Sequence, residues 1–398
     1  MIVSVLLLTV TLFFVPDAKS QNLGPSVNTE GDEYINALSS DGSRIYFTRR
    51  QGDDKVFFSV VKDGNCQLAQ PVDFGWTHDI RMGAVSFSTD MKTVYFVGIE
   101  YPGGFGRGDI YKSELIDNKW GNPINIGLPV NSATMESQPC ISANGKELYF
   151  VRDTKNYKSN IYCSRRLADG RWDKPSAVTA ANTRFGEMAP FLHPDGLTLF
   201  FASEGHDGLG GYDIFVCRRL LGGGWSEPVN LGAPVNTEKN EISFVVSADG
   251  KKCYVSSDRD GGFGGYDIYV FDYEDINVPE IVDTTHFVMR NINFEFDSAV
   301  LSESSDAAID SLANFLNDNP LINIEIAGFT DNSGTEEHNQ KLSFDRANAV
   351  KEALINKGIT ADRLKAIGFG SNNPIAPNDS EEYKALNRRV EIVLKLSD

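Results

Sequence analysis

The stretch IAGFTDNSGTEEHNQKLSFDR, Ile326 to Arg346, decides how the C-terminal part of the chain folds. The alternating run Ile322-Asn323-Ile324-Glu325-Ile326 leads into it with the period of a half-buried strand and stops at Gly328. Thr330, Asp331, Asn332, Ser333 and Gly334 then form a polar turn ahead of a helix. On that helix Asn339, Ser343 and Arg346 share one face, while Ala347, Val350 and Leu354 make an apolar stripe on another. A carboxylate at a strand end thus faces an amide and a guanidinium on a helix. Asp331 can accept from an ammonium and Arg346 can grip a carboxylate through two parallel hydrogen bonds, an arrangement suited to a small zwitterion. An ordinary Asp331–Arg346 salt bridge fits the same spacing.

Around this stretch strand and helix alternate. His286 to Asp297 reads as a strand, and Ser302 caps a helix whose Ile309, Leu312 and Leu316 form a stripe, ended by Asn319-Pro320. The helix carrying Arg346 stops at Lys357-Gly358. Leu364 to Phe369 reads as a short strand, and Val390, Ile392, Leu394 and Leu396 alternate with Glu391, Val393 and Lys395 as a closing strand. Residues 285–398 are therefore expected to be an α+β sandwich, two helices over one face of a small sheet.

Five motifs here, FEFDS (Phe294–Ser298), GFTD (Gly328–Asp331), NxxLSxxRA (Asn339–Ala347), GxG (Gly368–Gly370) and NRRVE (Asn387–Glu391), resemble in order and spacing those of the OmpA C-terminal family. The resemblance implies peptidoglycan binding. Asp331 and Arg346 match the residues that hold the ammonium and carboxylate of diaminopimelate in the stem peptide, and Thr330 belongs to the same turn. Asn339 matches the motif's amide, Phe296 and Asp297 its pocket-edge strand, and Asn387, Arg388 and Arg389 its last motif. Phe329 departs from the pattern, which more often has His.

The 398 residues carry 55 Asp plus Glu against 37 Lys plus Arg, a net charge of −18 that argues against nucleic acid or an anionic membrane surface as the main partner. The apolar run Val3 to Val15 and the ending Ala18-Lys19-Ser20 read as a signal peptide over residues 1–20, cut before Gln21. No Lys or Arg precedes the run, which leaves the true start open, and no cysteine follows to take a lipid. A second apolar stretch of about 18 residues is missing, so no transmembrane span is expected. Four of the five cysteines, Cys140, Cys163, Cys217 and Cys253, sit in apolar strand-like runs and read as small buried hydrophobes; a disulfide between neighbouring strands stays open.

Residues 21–275 repeat at intervals of about fifty. A turn dipeptide precedes a β-rich run at Asp41-Gly42, Asp90-Met91, Asn144-Gly145, Asp195-Gly196 and Asp249-Gly250. Asp-Ile-Tyr-like strands follow at Asp109, Asn160, Asp213 and Asp267, and Trp-x-x-Pro at Trp120, Trp172 and Trp225. Each unit offers four short β-rich segments, the composition of one propeller blade. LGPSVNTEGDE (Leu23–Glu33) parallels LGAPVNTEKNE (Leu231–Glu241), while the last unit lacks its own Trp-x-x-Pro, so the N-terminal segment is expected to complete it. Five blades are expected, with a degenerate sixth as the alternative. These units resemble the WD-like repeats of TolB-type periplasmic propellers.

The glycine-rich runs Gly208–Asp213 and Gly261–Asp267 precede strands and lack a following Lys-Ser/Thr, so they read as hairpin turns rather than phosphate loops. Asp258-Arg259-Asp260-Gly261 lacks the last ligand of a calcium loop. The five histidines show no metal spacing, and no nucleophile elbow occurs, so no catalytic residue, metal site or cofactor is assigned. Residues 276–284, with acids and one proline, read as a linker. The expected protein is a non-enzymatic, peptidoglycan-bound periplasmic protein near the outer membrane of a diderm bacterium, its propeller a platform for an envelope protein. The resemblance extends to peptidoglycan-anchored parts of secretion and gliding machines. The competing expectation is a wall-bound enzyme or glycan-capture protein acting through the propeller funnel.

Overall fold

A computed structural model describes residues 20–76, 81–154, 158–220, 224–276, 286–289, 292, 294, 298–320 and 322–396. The expected leader, all but its last residue, lies outside them, as do most of the linker and the site candidates Phe296 and Asp297.

Five antiparallel sheets account for the N-terminal 250 or so residues. Their inner strands are Asp32–Leu38, Arg81–Phe87, Glu136–Ile141, Glu187–Leu192 and Glu241–Val246. Each touches the inner strand of the next blade, and the fifth touches the first, so the sheets close into a five-bladed propeller. Closure is by the chain's start: Gln21–Asn22 pairs with Asp267–Asp272, Gln21 opposite Val270, as the shared Leu-Gly-x-x-Val-Asn-Thr-Glu segments imply. The Asp-Gly dipeptides form the turns between inner and second strands, where a residue must adopt positive φ. Gly42, Gly145, Gly196 and Gly250 take φ of 66–69°, and Met91 adopts 57° at the same place, at a cost of about 1 kcal/mol. All five cysteines are free thiols, three of them buried; burial pushes the Cys140 thiol up to about 11.

Two side-chain devices recur at four of the five blades, the second blade being the exception among the described residues. Asn28, Asn131, Asn182 and Asn236 each clamp the main chain of an isoleucine in the preceding blade, receiving its N–H and donating to its C=O. Beside them, a buried glutamate at or near the start of the inner strand meets a cation held between two aromatic rings. Arg49 pairs with Glu33 at 2.7 Å, Arg152 with Glu136 at 2.8 Å and Arg259 with Glu241 at 3.3 Å. Their guanidinium groups also donate to the carbonyls of Val27, Val130 and Val235. The rings are Phe47 and Phe57, Phe150 and Tyr162, Tyr269 and Phe271.

The fourth blade fills this slot with His206, 2.9 Å from the Ala181 carbonyl and between the rings of Phe201 and Phe215. Its glutamate, Glu187, keeps one buried oxygen without a partner among the described residues, and burial raises its pKa. A carboxyl raised in the folded state loses stability as pH climbs past the ordinary carboxylate range. His206→Arg should therefore raise the propeller's melting temperature at pH 7, by about 2–4 °C for each kcal/mol gained, and by less at pH 4. Calorimetry at the two pH values checks this; an equal or absent gain would show that an arginine cannot seat there.

The C-terminal sheet runs His286–Met289, Val390–Leu396, Ile322–Gly328, Leu364–Gly368, with only the last pair parallel. Helices α1 (Asp306–Asp318) and α2 (Glu336–Asn356) pack on it through Ile309, Leu312 and Leu316 and through Ala347, Val350 and Leu354, the stripes read from the sequence. Two readings change. The first helix begins at Asp306 with Ser305 in the N-cap position, because residues Glu303–Ser305 form a 3-10 turn that uses up the register from Ser302. A third helix, α3 (Glu381–Asn387), joins the expected two; it is too short to show a period, and Ser380 caps it by accepting from the Tyr383 N–H. The domain meets the propeller at the turns of the third and fourth blades, where Lys146 pairs with Asp318 at 2.6 Å and Leu197 packs on the C-terminal core.

Candidate functional site

The Ile322–Gly328 strand and helix α2 converge because two glycines let them. A Cβ on Gly328 would lie 2.0 Å from the Ser343 carbonyl oxygen, and one on Gly368, its register partner, 2.5 Å from the Phe344 nitrogen. The helix therefore lies flush on the strand ends at Ser343, the middle of the polar face read from the sequence. Ser343 is itself used to hold the neighbouring GxG turn, accepting from Gly370 N–H at 2.9 Å.

Beyond Gly328 the chain is fixed by its main chain: Phe329 N–H donates to Arg389 and Thr330 N–H to Gly370. Asp331 follows, largely buried, with each carboxylate oxygen engaged once. One accepts from Ser333 N–H at 2.7 Å, the other from Arg388 Nη1 at 2.7 Å. Burial would raise its pKa, but the Arg388 and Ser333 hydrogen bonds outweigh it and hold the carboxyl below the usual range. The stabilisation this carries is present above the unfolded value, about 4, and is lost as pH falls through the lower folded one.

Asn339 sits on α2 one turn past its Thr335 cap and donates to the Asp331 carbonyl at 3.3 Å, tying helix to turn. Arg346, two turns on, is buried on the same face; its Nε donates to the Ser298 carbonyl at 3.0 Å and its guanidinium lies 5.1 Å over the Phe294 ring. Both contacts use the edge or face of the group and fix its plane. Thr330 is buried, and its hydroxyl finds no partner among the described residues.

The last motif divides by role. Arg388 bridges Asp331 and Glu381, 2.7 Å from each. Asn387 is fully buried with its oxygen accepting from Ile375 and Ala376 N–H and its nitrogen donating to Ala376 and Asn378, so it holds a loop. Arg389 is buried, paired with Glu391, and stacked 3.8 Å over Phe329, whose other contact is Phe369. Phe329 is thus core, which accounts for an aromatic hydrocarbon at a position where the family more often has His. Sequence reading missed two things. The ion pair of Asp331 is with Arg388, and Glu381 competes for that arginine. Asp331 and Arg388 lie 57 positions apart, and no local pattern links them.

Residues 293–388 match the OmpA family. The C-terminal part of the chain is an OmpA-like domain. It is 42% identical over 105 residues to outer membrane porin F of Pseudomonas aeruginosa, covering 26% of this chain and 30% of that one. Porin F of Pseudomonas fluorescens is 41% identical over 104 residues, 26% of this chain and 32% of its own. The chain thus spans less than a third of the length of these two relatives. Among solved structures, the peptidoglycan-associated lipoprotein of Burkholderia pseudomallei is 34% identical, covering 26% of this chain and 88% of that one, with a TM-score of 0.26. The OmpA-like domain contains both Asp331 and Arg346.

Proposed function

We propose that the OmpA-like domain binds the stem peptide of peptidoglycan by its diaminopimelate, with Asp331 taking the ammonium and Arg346 the carboxylate. The chain then works in the periplasm as a non-catalytic envelope protein, held to the wall by this domain and offering its propeller to another envelope protein. The observation that carries the reading is a pair of buried opposite charges, Asp331 on a turn tied to α2 by Asn339 and Arg346 on α2 itself, each oriented by its neighbours. Two fixed charges of opposite sign favour a ligand bearing both, because each ligand charge then meets its opposite. In this reading Thr330 and Asn339 border the ligand and Arg388 lowers the affinity of Asp331 for protons; the family resemblance adds Phe296 and Asp297, which lie outside the described residues. Asn387 and Arg389 hold the surrounding loops. Single-site affinity is modest, and retention comes from the many sites on the polymer.

The full chain should co-sediment with sacculi containing diaminopimelate and not with sacculi whose stem peptides carry lysine. Asp331→Ala or Arg346→Ala should abolish sedimentation while circular dichroism at about 25 °C shows the domain still folded, each variant melting somewhat lower for the loss of its structural hydrogen bonds. Retention should persist down to about pH 4 and fall only as Asp331 takes a proton. Undiminished sedimentation of both variants would overturn the assignment.

A further inference from the structure

The propeller channel holds a cavity of about 330 Å³ at the end remote from the Asp-Gly turns, in the size range of small-ligand sites. Its wall is made largely by β-bulges. Every inner strand slips register once, between Ile35 and Ala37 in the first blade and between Ser137 and Cys140 in the third. A bulge takes a residue out of the ladder and re-aims it. Most of the displaced residues are glycine, alanine, proline or isoleucine. Two carry an amide: Asn36 and Gln138, both lining the cavity.

The orientation of the Gln138 amide follows from its partner, and Asn36 presents its amide in the same sense. Gln138 Oε1 accepts from the Ala189 main-chain N–H at 2.7 Å, which only an oxygen can do, and Asn36 Oδ1 accepts from the Thr48 hydroxyl at 2.8 Å. Each thus presents an NH2 group that has no partner among the described residues. Gln138 is held at φ 49°, a left-handed conformation uncommon for a side chain of this size. The bulge imposes it, since Ala189 takes φ 48° at the same place in the fourth blade, and both residues line the channel.

Three further features narrow the ligand. The charged groups at the mouth are already matched: Arg50 makes two bonds to Asp54, at 2.7 and 3.1 Å, and lies 5.1 Å over the Tyr34 ring. A charged ligand would have to break that pair. The floor is apolar, from Val97, Met135, Met188 and Ile242. Finally, an extended peptide finds few free inner-strand N–H groups to pair with. Those of Ile35, Ile141, Ala189 and Leu192 are taken by side chains of the neighbouring blade, Ser256, Ser86, Gln138 and Cys140. What remains is a neutral molecule with a carbonyl for the NH2 donors and a methyl for the floor. An acetamido group has both.

We propose that the channel mouth binds a neutral N-acetylated amino sugar of a glycan strand through Asn36 and Gln138. This stands apart from the Asp331 pocket, so it is tested in the full chain carrying Asp331→Ala and Arg346→Ala. Chitotetraose should bind, with NMR saturation transfer strongest at the acetamido methyls, while cellotetraose and a neutral peptide should not. Gln138→Glu and Asn36→Asp keep the internal acceptor and remove the donors; each should weaken binding by about tenfold with an unchanged melting curve. Absent chitotetraose binding, equal binding of cellotetraose, preference for the peptide, or affinity undiminished in both variants would each overturn the proposal.

Discussion

Gly328→Val should leave the C-terminal domain unfolded at 25 °C while the propeller stays intact. The new side chain would begin 2.0 Å from the Ser343 carbonyl and 3.4 Å from the Ser343 Cα. Overpacking usually costs about 1–3 kcal/mol, because side chains can shift. Here the obstacle is the main chain of Ser343, which no rotamer change can move. Relief requires lifting α2 from the sheet, which would uncover Ala347, Val350 and Leu354, all fully buried. A loss of about 4 kcal/mol or more is expected, against the 5–15 kcal/mol of a typical domain. Urea unfolding followed by circular dichroism would show the helical transition gone and the β transition kept. An unchanged helical midpoint would mean that the helix has room to move.

Asn28→Ala should be the most damaging single change in the propeller ring. Asn28 is 1% exposed and makes three hydrogen bonds: it receives from the Ile268 N–H, donates to the Ile268 carbonyl and donates to Asn22. Alanine would strand two buried main-chain groups at about 1–3 kcal/mol each. It would also loosen Asn22, part of the two-residue strand that closes the ring. Asn182→Ala removes the same clamp at a part-exposed position, where water can replace it, and should cost less than half as much. Melting temperatures of the two variants decide this; equal losses would show that burial is not what makes the clamp matter.

The blades and their closure were legible because each unit repeats its turn dipeptide, and because Leu23–Glu33 and Leu231–Glu241 share a pattern. Asp331, Asn339 and Arg346 were legible because a strand end and a helical period place them without further information. What stayed hidden is set by contacts across the fold. Arg388 reaches Asp331 only after α3 and the closing strand have turned back over the site. The bulges at Asn36 and Gln138 break the period of two inside strands that otherwise alternate, and a break of one residue is invisible in so short a run. The substitution of His206 for an arginine shows only once the four slots are superposed in space, since the cation arrives from the second strand in two blades and from the loop after it in the others.

Ring closure also sets how the molecule bears load. The last propeller strand, Asp267–Asp272, is the one that continues toward the C-terminal domain, and it lies between Lys252–Ser257 and Gln21–Asn22. Tension applied through the C-terminal domain therefore pulls along this strand and shears two hydrogen-bond ladders together, rather than peeling one edge open. Gln21 and Asn22 act as a lock on the last blade, and the propeller should resist a steady pull better than its short closing strand suggests.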